Sequence, residues 1–572
     1  MTRRDILMAS LALAGLPLRS SAAKPQGRRP LFRDAAAEAG LDFFLYTGPT
    51  PERYMPEIIG AGVALLDYDN DGDLDIYVLQ DGLVNPNARP LIVPPPGWKP
   101  GNRLFRNMLS ETGKLHFVDV TEKAGVGHIG YGMGVAVGDY DNDGYLDLYV
   151  TNFGHNVLYH NNGDGTFTDV TQQAGVDDPR WSTSAAWVDY DGDGWLDLFV
   201  CNYVDFTVEN NKRCYAPAGE LDYCSPRTYN PLPSRLFRNL GNGRFEDMTA
   251  SSGIGSLNGY GLGVICADFD GDGRVDIYVA NDSAANFLWL NQGNGTFKEG
   301  ALEAGLAFSA DGLAKAGMGI AAEDIDNDGH LEVIVTNLTG EGVTLFRSDR
   351  PGLYDEATAR FRLSEPTFGY TGYGVGFLDY DNDGLMDLFI ANGAMTIIES
   401  LRAHQGGFYP YAQKNQLFHN AGPGKGFVEV TRDAGAAMQL AEVGRGAAFG
   451  DINNDGRVDI VVTNANGPLR LFLNEATAGH WLLVRLEAAE GNRFGMGAEV
   501  GLFREGQPTL WRRAHTDGSM LSASDIRVHF GLGASTRIDL LVVRWPDGAR
   551  EQWDNISADR IVTLRRGGGR RL

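Results

Sequence analysis

DYDNDGYLDLYV, residues 139–150, packs four carboxylates and an amide into nine positions and then runs straight into an apolar strand pattern. Like charges at that density raise one another's proton affinity unless a cation relieves them. The pattern recurs six more times, as DYDNDGDLD from Asp67, DYDGDGWLD from Asp189, DFDGDGRVD from Asp268, DIDNDGHLE from Asp324, DYDNDGLMD from Asp379 and DINNDGRVD from Asp451. The first residues are 72, 50, 79, 56, 55 and 72 positions apart. A minimum repeat near 50 residues is the length scale of a propeller blade, and the longer gaps predict insertions.

The repeat extends beyond the acidic stretch. A glycine-rich approach precedes it (YGMGVAVGD, YGLGVICAD, AGMGIAAED), and a strand of the type LDLYVTN or VDIYVAN follows. Next come LFRN at Leu104, LYHN at Leu158, LFRN at Leu236, LWLN at Leu288, LFRS at Leu345, LFHN at Leu417 and LFLN at Leu471, then segments such as FVDVTEKAG and FTDVTQQAG. Each unit reads as three or four short strands joined by Gly and Asn turns. One unit cannot bury its own faces, whereas a closed ring of units can. The expected fold is all-β: a seven-bladed β-propeller over residues 31–478, with a second, smaller C-terminal β domain over 479–570. LFRDAAAEAG from Leu31 looks like the segment missing after the last LFLN, which predicts that the N-terminal strand completes the last blade. A linear solenoid would leave that match unexplained.

Numbered from its first residue, the loop offers oxygen at positions 1, 3, 5 and 9, with glycine at 6 to reverse the chain. Calcium takes six to eight hard oxygen ligands, and alternate residues of a tight loop present them, much as in the first nine positions of an EF-hand loop. The flanking helices and the Glu at position 12 are absent here, and magnesium suits all-protein cages poorly. The predicted ligands are Asp67, Asp69, Asp71 and Asp75; Asp139, Asp141, Asp143 and Asp147; Asp189, Asp191, Asp193 and Asp197; Asp268, Asp270, Asp272 and Asp276; Asp324, Asp326, Asp328 and Glu332; Asp379, Asp381, Asp383 and Asp387; and Asp451, Asn453, Asp455 and Asp459. Position 7 (Asp73, Tyr145, Trp195, Arg274, His330, Leu385, Arg457) is expected to turn its backbone carbonyl to the ion. Up to seven structural Ca²⁺ ions follow, bound more weakly at the last loop, where Asn453 replaces a carboxylate. Paired glycosidase carboxylates would need one facing pair in a cleft rather than seven equivalent sets.

Composition agrees. The 572 residues carry 75 glycines, about 13% against the usual ~7%. The formal net charge of -25 argues against nucleic acid as a partner and is compatible with bound cations. MTRRDILMASLALAGLPLRSSAA, residues 1–23, has a basic head, a short apolar run and a small-residue end, the layout of an export signal rather than a membrane span. Its paired arginines resemble a twin-arginine signal, with a plain basic signal head as the alternative. A periplasmic or extracellular location is expected. Cys201, Cys214, Cys224 and Cys266 allow three complete pairings; Cys214 and Cys224 share an irregular insert, and Cys266 sits in a strand pattern suited to a buried thiol.

The DxDxDGxxD loops resemble the calcium-binding repeats of FG-GAP/VCBS propellers. NRFGMGAEV from Asn492, SMLSASDIRVHFGLG from Ser519 and LVVRWPDG from Leu541 resemble the ASPIC/UnbV domain. Together they resemble the cartilage acidic protein 1 (CRTAC)-like family of secreted calcium-binding proteins, which implies adhesion or binding more than a reaction. In the tail, Arg512, Arg513, His515, Asp517 and His529 form either a polar site or ordinary surface charge.

The expected function is an exported calcium-binding scaffold for a protein or surface-glycan partner, with variable loops at 80–102, 201–235 and 394–416 on a rigid ring. His128, Tyr131, Trp181, Tyr229, Tyr260, Phe368, Tyr370, Tyr373 and Tyr411 either gather on one propeller face or pack inside it. The alternative is an enzyme using the propeller face or the interdomain cleft; no nucleophile elbow, phosphate loop or zinc signature points to its reaction.

Overall fold

The computed structural model describes residues 31–397 and 409–572. The export-signal reading of 1–23, and much of the third variable loop, lie outside them. Seven four-stranded antiparallel sheets account for most of the described chain. Their innermost strands neighbour one another in sequence order, and the seventh returns to the first. The expected ring is therefore closed.

The second sheet shows why each repeat folds this way. Gly132–Gly138 is innermost and wholly buried, and so is the next strand, Asp147–Asn152. A strand covered on both faces reads as a near-continuous apolar run, which is the DLYV pattern. Val157–Asn161 is buried but for one residue, and Phe167–Asp169 at the rim is exposed at two of three positions. Burial thus falls from the axis outward. Asp169 Oδ1 then accepts from the Thr171 backbone N–H at 3.0 Å and its hydroxyl at 2.6 Å, which starts the one-turn helix Thr171–Ala174 and explains the recurrent DVT.

Phe32–Asp34 pairs antiparallel with Arg470–Asn474 of the seventh sheet, Phe32 opposite Asn474. The first strand among the described residues is therefore the outermost strand of the seventh sheet, as the LFRD match predicts.

Two further sheets form the C-terminal part. His480–Glu487 lies between Val528–Gly533 and Arg560–Arg565; the other sheet orders Leu510–Arg513, Glu499–Phe503, Arg537–Arg544, Arg550–Ser557 and Arg570–Arg571. They enclose their own core, with Leu482, Val484, Val500, Phe530, Leu541 and Trp545.

The nonapeptide loops join first to second strands, so all seven emerge at one end of the ring. The variable loops join second to third strands of the first, third and sixth sheets, so they emerge at the other end. The structure trims them: Cys201 belongs to the strand Asp197–Asn202, and Arg235 and Gln416 each begin a third strand. Cys214 and Cys224 are disulfide-bonded across a small hairpin, while Cys201 and Cys266 are free and buried.

Candidate functional site

The loop 139–147 is organised by its own backbone. Asp139 accepts from the N–H groups of Asp143 at 3.0 Å and Gly144 at 2.9 Å, and Asp143 accepts from Tyr145 at 2.8 Å. Gly144 makes this possible at φ 93°, a conformation that costs a side-chain-bearing residue strain. Asp147 has a structural role that the spacing did not reveal. Its Oδ2 accepts from the Tyr140 N–H at 3.1 Å and its Oδ1 from the Asn161 N–H at 2.7 Å, which ties the loop to the end of the third strand. Asp75, Asp197, Asp276, Asp387 and Asp459 do the same in their loops.

At position 7, Tyr145 and Trp195 pack away from the loop. A Cβ on Gly163 would lie 2.8 Å from the Tyr145 ring, and one on Gly241 would lie 2.9 Å from Trp195. These two side chains cover the turn after the third strand.

A hard cation fits the loops on their own geometry. Ligand oxygens of Asp139, Asp141 and Asp147 lie within 4.8 Å of one another, as do those of Asp67, Asp69 and Asp71. At position 3, buried Oδ1 atoms of Asp69, Asp141, Asp326 and Asp381 have no hydrogen-bond partner; nor has Oε1 of the fully buried Glu332. Burial raises the proton affinity of Asp69, Asp141 and Asp381, lifts Glu332 to about 9, and lifts the position-1 carboxylates Asp139 and Asp324 to about 7. A divalent cation reverses that logic by stabilising the ionised form. In the last loop Asn453 donates to Asp455 Oδ2 at 2.9 Å, taking up an oxygen that position 5 elsewhere keeps for other partners.

One cationic side chain also meets the carboxylates of every loop. Arg106 reaches Asp69 at 2.6 Å and Asp71 at 2.9 Å; Arg238 reaches Asp191 at 2.7 Å; Arg347 reaches Asp328 at 2.8 Å. His160 lies 3.0 Å from Asp141 and His419 lies 3.1 Å from Asp387. All five occupy the x of LFxN. Where x is Leu290 or Leu473, position 7 supplies the cation instead, and Arg274 and Arg457 pair with Asp272 and Asp455. That complementary alternation is visible in the sequence once strand three is aligned with the loop.

The LFxN asparagine spans sheets. Asn161 donates its side-chain amide to Tyr68 O at 2.8 Å, Asn239 to Tyr140 O at 2.7 Å and Asn474 to Tyr380 O at 2.8 Å. In the fifth sheet Ser348 replaces it, and the Tyr354 hydroxyl takes over, donating to Phe269 O at 3.2 Å.

The C-terminal sheets cover this loop end of the ring. They carry fourteen arginines and no lysine against eleven carboxylates, in a chain that is strongly acidic elsewhere. Arg527 donates to Asp451 O at 2.9 Å, and Arg512 donates to Asp324 O at 3.2 Å. From this cap, segment 516–525 enters the axis and bonds to the innermost strand of all seven sheets. Its partners are Val63, Val135, Ser184, Cys266, Ile320, Val375 and Phe449. The plug explains one glycine of the glycine-rich approach: a Cβ on Gly62 would stand 1.7 Å from the Leu521 carbonyl oxygen. At the other end the short helix Pro56–Ile59 closes the axis, with Met55, Ile58 and Ile59 packed in one core with Met133, Met318 and Met520.

The same core absorbs most of the aromatic residues read as a prospective face. Tyr131, Trp181, Tyr229, Tyr373 and Tyr411 are buried there, with Tyr260 packed against them. Phe368 is 57% exposed, and His128 and Tyr370 are half-buried. The buried members of the set fill the ring rather than line a groove.

The tail residues do come together. Arg512, Arg513, His515, Asp517 and His529 line a cavity of about 120 Å³ between ring and cap. His515 bridges Asp517, 2.9 Å from Nδ1, and Glu323, 3.2 Å from Nε2. His529 donates to Gly456 O at 3.1 Å, and burial holds its pKa down to about 4, so it is a neutral, satisfied imidazole.

Fold and site together define an all-β propeller built from acidic-loop repeats and closed by a β-sheet cap. The chain belongs to the FG-GAP-like repeat family and carries an ASPIC and UnbV domain: residues 67–150, 139–200, 219–279, 268–335 and 324–390 match the repeat, and 488–571 match the domain. It is homologous to cartilage acidic protein 1, at 27% identity over 312 residues with the Mus musculus protein and 26% with the Homo sapiens protein. Those matches cover 53% of this chain and 44% and 43% of the two relatives, so the matched region spans less than half of each relative's length. Among solved structures, an Agrocybe aegerita lectin that recognises non-reducing terminal N-acetylglucosamine is 14% identical with a TM-score of 0.34, over 73% of this chain and 95% of the lectin. YCF48 bound to D1 peptide is 9% identical with a TM-score of 0.39, over 78% and 97%.

Proposed function

We propose that this protein is an exported scaffold, held by calcium at its nonapeptide loops, that offers the variable-loop end of the ring to a protein or surface-glycan partner. The observation that carries the reading is the asymmetry of the two ends. The loop end is covered by the cap, and the axis is filled from both sides. The opposite end is built from long insertions and exposes Val93 at 78%, Ile129 at 71%, Leu313 at 62% and Phe368 at 57%. Apolar side chains on a rigid, disulfide-braced platform suit a protein partner best.

Export is supported by the Cys214–Cys224 disulfide, which persists in oxidising compartments, and by the signal-like residues 1–23. Among the described residues no helix is long and apolar enough to cross a membrane. The test is a pull-down from the producing cell's surface fraction with the mature protein and with a V93D/I129D/F368D variant. A partner retained by the parent and lost by the variant supports the reading; equal retention, or none, counts against it.

The cavity beneath the cap favours a second reading, a small-molecule site. Glu323 Oε2 is buried there without a partner beside the His515 relay. Such a His–carboxylate pair suits proton transfer. Density for a copurified small molecule in that cavity would favour it over the scaffold reading.

A further inference from the structure

Position 4 of the nonapeptide is not a ligand position, yet it is asparagine in five loops and glycine in two. The five asparagines share φ between 55° and 59°, the left-handed region that asparagine tolerates. Each sends its side-chain amide into the next loop. Asn70 donates to Gly144 O at 2.9 Å, Asn142 to Gly194 O at 3.0 Å, Asn327 to Gly384 O at 3.0 Å, Asn382 to Gly456 O at 3.0 Å and Asn454 to Gly72 O at 3.2 Å. The acceptor is always the position-6 glycine. The donor therefore sits between ligand positions 3 and 5 of one loop, and the acceptor between positions 5 and 7 of its neighbour.

Gly192 and Gly271 take position 4 in the third and fourth loops, and they have no amide to give. The links join the fifth, sixth, seventh, first, second and third loops into one open chain. The fourth loop, Asp268–Asp276, stands outside it. The cap braces the chain: Arg527 donates to Asn454 Oδ1 at 2.9 Å, Arg512 to Asn327 Oδ1 at 3.3 Å and Arg485 to Asn70 Oδ1 at 3.4 Å.

We infer that the position-4 asparagines are positioning residues that couple calcium loading across six loops, while the fourth loop loads independently. The inference rests on the calcium reading of the loops. A cation that draws positions 3, 5 and 7 inward also fixes positions 4 and 6, and so orders a donor or an acceptor of each neighbour. The neighbour then has less freedom left to lose when it binds, which is positive coupling. General packing between sheets would act differently. The LFxN-type bonds also flank the fourth loop, through Asn291 to Tyr190 O at 2.7 Å and Tyr354 to Phe269 O at 3.2 Å, and would couple all seven.

The test is calcium titration of calcium-stripped full-length protein against a chelator, with bound ions counted by mass spectrometry, for the parent, Asn142→Gly and Gly192→Asn. Glycine is already native at position 4 in two loops. Gly192 has open space around its missing Cβ and φ 73°, so asparagine fits there and restores a link. The parent is expected to show one cooperative class and one independent ion. Asn142→Gly should release the third loop from that class and weaken it about fivefold, the worth of one hydrogen bond. Gly192→Asn should draw the independent ion into the class. Calcium bound with the same isotherm in all three proteins, or all seven ions weakened alike by Asn142→Gly, overturns the inference while leaving the calcium reading intact. No bound calcium overturns both.

Discussion

Asn454, in the last nonapeptide, donates its side-chain amide to the carbonyl of Gly72, in the first, at 3.2 Å across 382 positions of sequence. Phe32 lies opposite Asn474 at the rim of the same seventh sheet. The ring is thus closed twice, once through a backbone ladder and once through the loop end. Both closures unite residues from opposite ends of the repeat array.

The strand closure predicts a large effect from a small truncation. Phe32 is 1% exposed and packs 6.2 Å from the Tyr380 ring. Phe32→Ala should destabilise the ring by about 3–5 kcal/mol, as for other buried aromatics. Denaturant unfolding checks it; a loss below ~1 kcal/mol would mean that the N-terminal strand is not part of the cooperative unit.

Calcium removal should lower the melting temperature and expose the loop end to protease. Ions bound only by the folded state stabilise it by mass action, and their loss strands buried carboxylates such as Glu332. Melting curves of calcium-loaded protein and of protein verified as calcium-free should differ clearly. Superimposable curves would remove the structural role assigned to the ions.

The plug predicts a sharp contrast between two glycines. Gly62→Ala puts a methyl 1.7 Å from the Leu521 carbonyl, so ring and plug must separate. The cost should be at least the ~1–3 kcal/mol of overpacking, with faster proteolysis of the cap. Gly82→Ala meets no atom within 4 Å and should behave like the parent. Equal behaviour of the two variants would contradict the plugged axis.

Glu57 predicts a pH dependence away from the loops. It is a fully buried residue of the short helix Pro56–Ile59 and accepts from Thr50 Oγ1 at 2.6 Å and Tyr223 OH at 3.2 Å. Burial lifts its pKa from 4.5 to about 8. The folded state therefore keeps a proton that the unfolded state gives up. Its contribution to stability is complete below pH 4.5, declines as pH rises and is lost above about 8. Glu57→Gln should flatten stability across that window, where the parent loses a few kcal/mol, about 1.4 per unit of pKa shift. An unchanged pH profile would show that Glu57 stays ionised when folded.

Much of the ring was legible in the chain because its determinants are local and repeated. Glycine at position 6, DLYV beside it and Asn at the end of LFxN each dictate conformation within a few residues, and sevenfold repetition separates pattern from chance. Even the closing strand was readable, since LFRD at Leu31 keeps the repeat's own signature. The tie that Asp147 makes between loop and third strand, the alternation of Arg106-type and Arg274-type cations and the use of position 4 were written there too. Asn161, Arg106 and the position-6 glycines that complete these arrangements lie in other strands or other sheets, so spacing within one loop could not reveal them. The tail residues Arg512, Arg513, His515 and Asp517 could not be told from surface charge, because only docking against Glu323 and Cys266 buries them.

By itself, the sequence determined an all-β repeat ring, its seven acidic loops and a separate β module after it. Only the tertiary structure decided that this module covers those loops and threads 516–525 through the axis, leaving the variable loops as the free end. Strand and turn formation depends on near neighbours in the chain. Docking depends on shape and charge matched across hundreds of residues, as Gly62 meets Leu521 and Arg527 meets Asn454.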